Sequence, residues 1–302
     1  MKQQSFFESA DGKSVIYWTL WTPDDKPVVE VLQITHGMCE YMDRYEGLAL
    51  YLNQYGIAVA GADQLGHGKT GEGSHGYFGE QDGWKLLAED VERLHQQIKQ
   101  EFPGVPVTVM GHSMGSFVVR VWMAKYGREA SKLILMGTAG KNPACGAGIR
   151  LVRQLRKKRG GTGRSRLVTA MAFGSYNKKI KPVRTTHDWL TRDEAVVDAY
   201  LKDPYCTFEF TLAAYEDLFR MLQYVNTEQW FKKVPKDRRI LMLSGWEDPV
   251  GNYGKGPIQV YEGLKKEGCD VGLLLYEGMR HEVLNEIGKE AVYKEIKEFI
   301  LG

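Results

Sequence analysis

PVTVMGHSMGSFVVRVWMAKY, residues 106–126, is the stretch that decides the fold. It predicts a strand at Pro106–Met110 and a helix at Met114–Tyr126, joined by the GxSxG pattern of Gly111–Gly115. A strand-to-helix turn this sharp strains the serine backbone, and the flanking glycines leave room for it. The hydroxyl of Ser113 would then stand above the sheet edge, beside N–H groups of the helix N-terminus. The alternative is a glycine-rich turn in which the serine is incidental.

Short β-rich runs alternate with helical patterns on both sides of this stretch. Strands that alternate with helices of about 10–15 residues favour a parallel sheet covered by helices on both faces. The predicted strands are Val28–Thr35, Gly56–Ala62, Lys132–Met136, Arg239–Ser244 and Asp270–Tyr276. The predicted helices are Tyr45–Tyr55, Lys85–Phe102, Ile258–Glu267 and Val283–Leu301.

Residues 141–236 interrupt this alternation, because they contain helical patterns but no clear strand. We therefore predict one α/β core, residues 1–140 and 237–302, with a helical cap inserted at residues 141–236. The first part of the insertion, Lys141–His187, holds thirteen Lys or Arg residues and no Asp or Glu. Such a concentration of positive charge in one segment indicates a role separate from that of the rest of the chain.

The composition is that of an ordinary soluble protein, with 302 residues of which 43% are hydrophobic and 26% charged. It excludes a disordered chain, a collagen-like fibre and a coiled coil. Apolar runs fall far short of the ~20 residues of a membrane span, and we expect no signal peptide. The cysteines form no CxxC pair, so we expect free thiols and a cytoplasmic protein. They are Cys39, Cys145, Cys206 and Cys269.

A serine hydroxyl is a poor nucleophile at neutral pH and needs a base. Only two histidines follow Ser113 in the chain, His187 and His281. We expect His187, in the insertion, to lie away from the sheet. His281 comes just past the last predicted strand, at the same sheet edge as Ser113, which favours it as the base. The alternative is that His281 is an ordinary surface residue.

The base needs a carboxylate that fixes its tautomer. Glu247 and Asp248 directly follow the predicted strand Arg239–Ser244. Asp248 is the better candidate because Pro249 favours an extended turn before it, and Glu247 is the alternative. The chain order Ser, Asp, His is the one expected for an α/β-hydrolase.

A second donor to an oxyanion should come from the loop after an earlier strand. His36, Gly37 and Met38 follow Val28–Thr35. We expect the backbone N–H of Met38 to act together with that of Met114. The alternative is a simple turn that ends the strand.

Five motifs together resemble the monoacylglycerol lipase and lysophospholipase group of α/β-hydrolases, which is also described as serine aminopeptidase-like. They span residues 36 to 286 in the order of that family. The motifs are HGMCEYMDRY (36–45), DQLGHGKT (63–70), GHSMG (111–115), GWEDPV (245–250) and RHEVLNE (280–286).

This resemblance implies an α/β-hydrolase fold, mostly parallel, with a helical cap between two strands. It implies Ser113 as nucleophile, Asp248 as orienting acid and His281 as base. It also implies an oxyanion hole from the backbone of Met38 and Met114.

Supporting roles are expected for other residues of the same motifs. The family's glutamate and arginine map onto Glu40 and Arg44, which the resemblance implies are a supporting ion pair. We add Gly37 and His112, which stand beside the expected oxyanion hole and nucleophile. One departure is Tyr41, where the family often has histidine.

The function expected from these residues is hydrolysis of carboxylic esters of single-chain lipids, such as monoacylglycerols or lysophospholipids, and of short p-nitrophenyl esters. The alternatives are an amidase or aminopeptidase of the same fold and a non-catalytic ligand- or membrane-binding protein. We expect no cofactor and no metal, because Asp63, His67 and Gly68 form a structural turn without metal-ligand spacing. The oligomeric state is left open.

The basic stretch Arg150–Arg166 has the pattern of an amphipathic segment that lies on a membrane surface. Ile149, Val152 and Leu155 share one face, and arginines occupy the others. We predict peripheral contact with anionic membranes, while a solvated loop is the alternative. Few aromatic residues interleave with the charges, so no nucleic-acid partner is expected.

Overall fold

Eight strands form one sheet in the computed structural model, which describes residues 1–302, in the order β1-β2-β4-β3-β5-β6-β7-β8. The two N-terminal strands run antiparallel, and the six strands from β3 to β8 run parallel to one another. The strands are β1 Lys2–Glu8, β2 Val15–Trp21, β3 Glu30–Thr35, β4 Ile57–Ala62, β5 Val107–His112, β6 Lys132–Met136, β7 Arg239–Gly245 and β8 Val271–Tyr276.

Helices cover both faces of the sheet. The ten helices are α1 Glu46–Asn53, α2 Gly83–Glu101, α3 Met114–Tyr126, α4 Cys145–Arg159, α5 Arg166–Phe173, α6 Glu194–Lys202, α7 Leu212–Tyr224, α8 Glu228–Lys233, α9 Lys255–Lys266 and α10 Lys289–Leu301. Side chains on the two faces of β5 pack into two different hydrophobic cores. Val107 and Val109 pack with α2 and α3, whereas Met110 packs with α1 and α10. This period of two confirms the predicted fold class, a mostly parallel sheet buried on both faces.

Most predicted elements lie where the sequence placed them. Helix α3 and strand β6 begin and end at the predicted residues. The sequence pattern did not predict β1 or β2. Strand β1 is an exposed edge strand that lacks the usual alternation of buried and exposed positions. The antiparallel hairpin of β1 and β2 extends the sheet beside β4.

The chain after β8 departs from prediction. We predicted one helix at Val283–Leu301, but the structure has a short 3-10 helix at Val283–Asn285 and then α10. The break contains Gly288, whose φ of 88° is a left-handed conformation that interrupts a helix. Within the break, the buried Glu286 accepts a hydrogen bond from the backbone N–H of Arg280 at 2.9 Å.

Five helices, α4 to α8, lie between β6 and β7. Helix α7 packs against α4 within this segment and against α2 and α3 of the sheet's helical layer. The division of the chain into a core and a cap at residues 141–236 stays a prediction. No helix of the chain combines the length and apolar character that crossing a bilayer requires.

The contact between α3 and β3 depends on Gly115. A Cβ atom there would lie 2.1 Å from the backbone oxygen of Thr35 and 2.3 Å from that of His36. Backbone at the end of a central strand cannot give way as a flexible side chain would.

We therefore expect Gly115→Ala to lower the free energy of unfolding by about 3 kcal/mol or more, or to prevent folding. The matched control is Gly146→Ala in α4, where a Cβ meets nothing within 4 Å. This change should stabilise the protein by about 0.5–1 kcal/mol, because alanine favours a helix. Thermal unfolding followed by circular dichroism makes the comparison. Equal stability of Gly115→Ala and the unmodified protein would contradict this packing.

Candidate active site

Ser113 occupies the sharp turn between β5 and α3. Its φ of 52° and ψ of −121° lie in a strained region for a residue with a side chain. The turn needs glycines on both sides, since a Cβ at Gly111 would lie 2.4 Å from the backbone oxygen of Gly115. The backbone N–H of Ser113 donates to the oxygen of Met136 on β6 at 2.9 Å, which fixes the turn against the neighbouring strand.

Three side chains from three different loops meet at this turn. Nε2 of His281 lies 2.7 Å from the hydroxyl oxygen of Ser113, and Nδ1 lies 2.9 Å from a carboxylate oxygen of Asp248. With its Nδ1–H donated to Asp248, the imidazole keeps a lone pair on Nε2 for the serine proton. The structure therefore brings together the serine, histidine and aspartate that the sequence predicted.

The two candidate carboxylates have different surroundings. Asp248 is completely buried, and its second oxygen accepts the backbone N–H of Val250 at 2.8 Å. Glu247 is exposed, and its side chain makes no hydrogen bond or ion pair. The structure thus selects Asp248 over Glu247 as the partner of His281.

Two backbone N–H groups beside Ser113 have no hydrogen-bond partner within the protein. They belong to Met38 and Met114, the two residues predicted to form the oxyanion hole, and both residues line the same cavity as Ser113. Unpaired donors of this kind can stabilise negative charge that develops on a carbonyl oxygen.

The loop that carries Met38 is held from two sides. The neutral ring of His36 donates from Nδ1 to the oxygen of Gly37 at 2.8 Å and accepts the N–H of Gln64 on Nε2 at 3.0 Å. Burial lowers the pKa of His36, which keeps the ring neutral. A Cβ on Gly37 would lie 2.5 Å from Oε1 of Glu40 and 3.0 Å from the Ser113 Cβ, so only glycine lets this loop approach the serine.

Glu40 is a buried carboxylate behind the nucleophile. It accepts hydrogen bonds from the Tyr45 hydroxyl at 2.9 Å, from Arg44 at 3.0 Å and from the N–H of Gly37, and it lies 2.8 Å from Nδ1 of His112. Burial opposes charge on both groups, but the attraction between them lowers the pKa of Glu40 and raises that of His112. The predicted supporting residues are therefore one hydrogen-bonded cluster.

Sequence reasoning missed a second carboxylate of this cluster. Glu282, the neighbour of His281, is buried and forms a two-pronged ion pair with Arg44. Burial would raise the pKa of Glu282, but the Arg44 guanidinium holds it below its usual value. The glutamate after the histidine of RHEVLNE (280–286) is visible in the sequence, but no sequence pattern connects it to Arg44.

A cavity of about 1230 Å³ opens onto Ser113 and His281. More than half of its lining residues are hydrophobic, and many come from the segment between β6 and β7. They include Leu151, Val168, Met171, Phe173, Leu218 and Phe219. The segment therefore supplies an apolar wall to the space in front of the serine.

His187 also lines this cavity, from the segment between β6 and β7. Its expected place away from the sheet stays a prediction. The ring of Trp189 lies 6.5 Å from that of His187 and 5.3 Å from that of His281. Tyr41 stands where the family often has histidine. Its hydroxyl donates a hydrogen bond to Asp203 at 2.7 Å.

The remaining chemical groups are cysteines and potential metal ligands. All four cysteines are free and buried. The chain has no group of three or more His, Cys, Asp or Glu side chains that could hold a metal ion.

Comparison with known proteins places this geometry in a family. Residues 26–288 match the family described as serine aminopeptidase, S33. The chain belongs to this family. It is an α/β-hydrolase and a serine ester hydrolase.

Its relatives cover nearly the whole chain. A highly thermostable carboxyl esterase from Bacillus coagulans, solved in complex with glycerol, is 30% identical with a TM-score of 0.94, covering 100% of this chain and 98% of that one. The monoacylglycerol lipase of Mycolicibacterium smegmatis is 26% identical over 307 residues, which is 100% of this chain and 98% of that protein. The human monoglyceride lipase is 24% identical over 296 residues, 97% of this chain and 88% of that protein.

The contrast between the two acidic neighbours gives a test. We expect Asp248→Asn to keep the fold but to lower kcat by a factor on the order of 10³–10⁴, because an amide favours the wrong tautomer of His281. Glu247→Gln, the matched change one residue earlier, should leave kcat within about twofold, as expected for an exposed side chain. Turnover of p-nitrophenyl butyrate measures both. A larger loss for Glu247→Gln would make Glu247 the orienting acid.

Proposed function

We propose that this protein hydrolyses esters of single-chain lipids, such as monoacylglycerols or lysophospholipids, as well as short p-nitrophenyl esters. The observation that carries the proposal is the cavity of about 1230 Å³ that opens onto Ser113 and His281. It exceeds the range of roughly 300–1,000 Å³ typical of pockets for drug-sized ligands, which suits a long flexible chain. The names of the lipase relatives point to the same class of substrate.

The proposed reaction begins with transfer of the Ser113 hydroxyl proton to Nε2 of His281 as the oxygen attacks the ester carbonyl. Asp248 stabilises the imidazolium that forms. The carbonyl oxygen becomes an oxyanion, which the N–H groups of Met38 and Met114 stabilise. Collapse of this intermediate breaks the ester bond, and His281 returns the proton to the leaving alcohol. Water, with its proton taken by His281, then releases the fatty acid from Ser113.

A second candidate is cleavage of amides, because the family that matches the chain is described as a serine aminopeptidase. The same serine, histidine and aspartate can attack an amide, whose leaving amine His281 would protonate. Aminoacyl p-nitroanilides report this activity directly. Faster cleavage of these than of p-nitrophenyl esters would favour the amidase.

The main test combines one variant with two lipids. Ser113→Ala should abolish labelling by a fluorophosphonate and lower ester turnover by roughly 10⁴–10⁶-fold, because the nucleophile is lost. Ser5→Ala, at an exposed position of β1, is the control and should behave as the unmodified protein. The unmodified protein should hydrolyse monooleoylglycerol faster than trioleoylglycerol.

Two outcomes would contradict the proposal. Retention of a tenth of the activity in Ser113→Ala would remove Ser113 as nucleophile. A higher rate on trioleoylglycerol would remove the preference for single-chain lipids.

We also propose that α4 and α5 contact anionic membranes. Two of the predicted cations, Arg153 and Arg156, are instead paired with Glu216, at 2.8 and 2.6 Å. The remaining cations of the stretch pair with no carboxylate: they are Arg150, Lys157, Lys158, Arg159, Arg164 and Arg166. Helix α5 adds exposed Leu167 and Met171, one turn apart on a helix that also lines the cavity. Cations beside exposed apolar side chains are typical of helices at membrane surfaces.

Co-sedimentation with liposomes tests this contact. Binding should rise with the fraction of anionic lipid and fall as salt screens the charges, since each cation contributes ~1 kcal/mol near an anionic leaflet. Changing Lys157, Lys158 and Arg159 to Ser removes three such cations and should weaken binding at low salt by up to about 100-fold, without breaking the pairs of Arg156. Equal binding to neutral and anionic vesicles would contradict the proposal and leave Arg150–Arg166 as a solvated surface.

A further inference from the structure

The guanidinium of Arg44 lies between two buried carboxylates from loops far apart in the chain. One of its nitrogens is 3.0 Å from Glu40 and 2.8 Å from Glu282, and the other is 2.7 Å from the second oxygen of Glu282. The side chains of Glu40 and Glu282 are 4% and 3% exposed, and that of Arg44 is 12% exposed. Water therefore does little to screen these charges.

Each carboxylate is attached to a different part of the site. Glu40 accepts the N–H of Gly37, directly before Met38, whose own N–H is a proposed oxyanion donor. Glu282 directly follows His281, and its backbone N–H donates to the oxygen of Leu190 at 2.7 Å. Arg44 is thus the only side chain that pairs with carboxylates on both loops.

We propose that Arg44 and Glu282 are positioning residues, which hold the loop of Met38 and the loop of His281 at the separation that ester hydrolysis requires. This inference rests on the proposed function, because it assigns a task to residues around Ser113. Neither side chain touches the reacting atoms in the proposed mechanism. Their effect reaches the reaction through His281 and through the backbone of Met38.

The planar guanidinium suits this task for a geometrical reason. Its two terminal nitrogens contact both oxygens of Glu282 while one of them also contacts Glu40. A lysine carries the same charge as a single flexible point and cannot reproduce the two-pronged pair. Tyr200 of α6 lies against the guanidinium, with the ring centre 5.0 Å from Cζ, which limits its movement.

The charges of the cluster offer a second readout, the pH–rate profile. Removal of Arg44 would leave the carboxylates of Glu40 and Glu282 without their cation, and negative charge in the site favours the protonated form of a histidine. Removal of the Glu282 charge would leave an excess of positive charge, which favours the neutral form. Activity requires neutral His281, so the first change should move the acidic limb of the pH–rate profile to higher pH and the second to lower pH.

Other charged and titratable groups surround the same imidazole and are common to all variants. His112 packs against the ring with the centres 5.0 Å apart, and burial lowers the pKa of His187. A His187→Gln background removes one of these titrations. The titratable side chains that contact the His281 ring directly are Asp248 and His112, and Glu40, Arg44 and Glu282 lie beyond His112 in the hydrogen-bonded cluster.

The experiment compares Arg44→Lys, Arg44→Gln and Glu282→Gln for kcat, KM and the pH profile on p-nitrophenyl butyrate, with thermal unfolding to identify folded variants. Arg44→Lys should lower kcat by about 10–100-fold with KM within about threefold and the acidic limb unmoved, because it keeps charge and loses geometry. Arg44→Gln should move the limb upward and Glu282→Gln downward, each by about 0.5 pH unit or more. Lys99→Gln, which breaks an exposed ion pair with Glu129, is the control and should leave kcat and the limb unchanged.

Folded variants whose kcat stays within twofold of the unmodified protein would overturn the inference. Limbs that move in the same direction for Arg44→Gln and Glu282→Gln would also overturn it. If Arg44→Gln does not fold, the shape-conserving Glu282→Gln and the charge-conserving Arg44→Lys decide alone. Failure of the proposed function is distinct, because activity would then survive in Ser113→Ala.

Discussion

The rest of the site depends on the backbone of Ser113, which is held at a positive φ between a buried strand and a buried helix. Such a conformation costs on the order of 1–3 kcal/mol and persists only where the surroundings enforce it. Here the absence of a Cβ at Gly111 and Gly115 lets neighbouring backbone atoms approach more closely than a side chain would allow. The same turn exposes the serine oxygen and leaves the N–H of Met114 unpaired. The proposed nucleophile and one proposed oxyanion donor thus both depend on this one strained residue.

Parallel strands bring the other groups to the same edge. The loops after β3, β7 and β8 carry Met38, Asp248 and His281, because the carboxyl ends of parallel strands meet there. Backbone alone does not fix the distance between these loops. The buried charges of Arg44, Glu40 and Glu282 connect two of them, and the backbone bonds from His281 and Glu282 to Trp189 and Leu190 connect the histidine loop to the segment between β6 and β7.

The sequence was sufficient to place three residues at one edge of the sheet. Ser113 directly follows a strand, and Asp248 and His281 follow theirs within five residues, so their common edge was predictable. The edge strand β1 lacked such a signal, and the helix break before α10 depends on the conformation of Gly288. The role of Glu282 was not predictable, because its partner Arg44 is 238 residues away in the chain. That His187 lines the cavity was not predictable, because the packing of the segment between β6 and β7 is a tertiary property.

The central claim is that Ser113 becomes covalently acylated during turnover. The most direct measurement is acid quenching of the enzyme within the first turnover of a p-nitrophenyl ester, followed by digestion and tandem mass spectrometry. The account predicts one acyl group, located on Ser113, in amounts that match the burst of released p-nitrophenol. An acyl group on another residue, or a burst of p-nitrophenol without any acylated peptide, would contradict it.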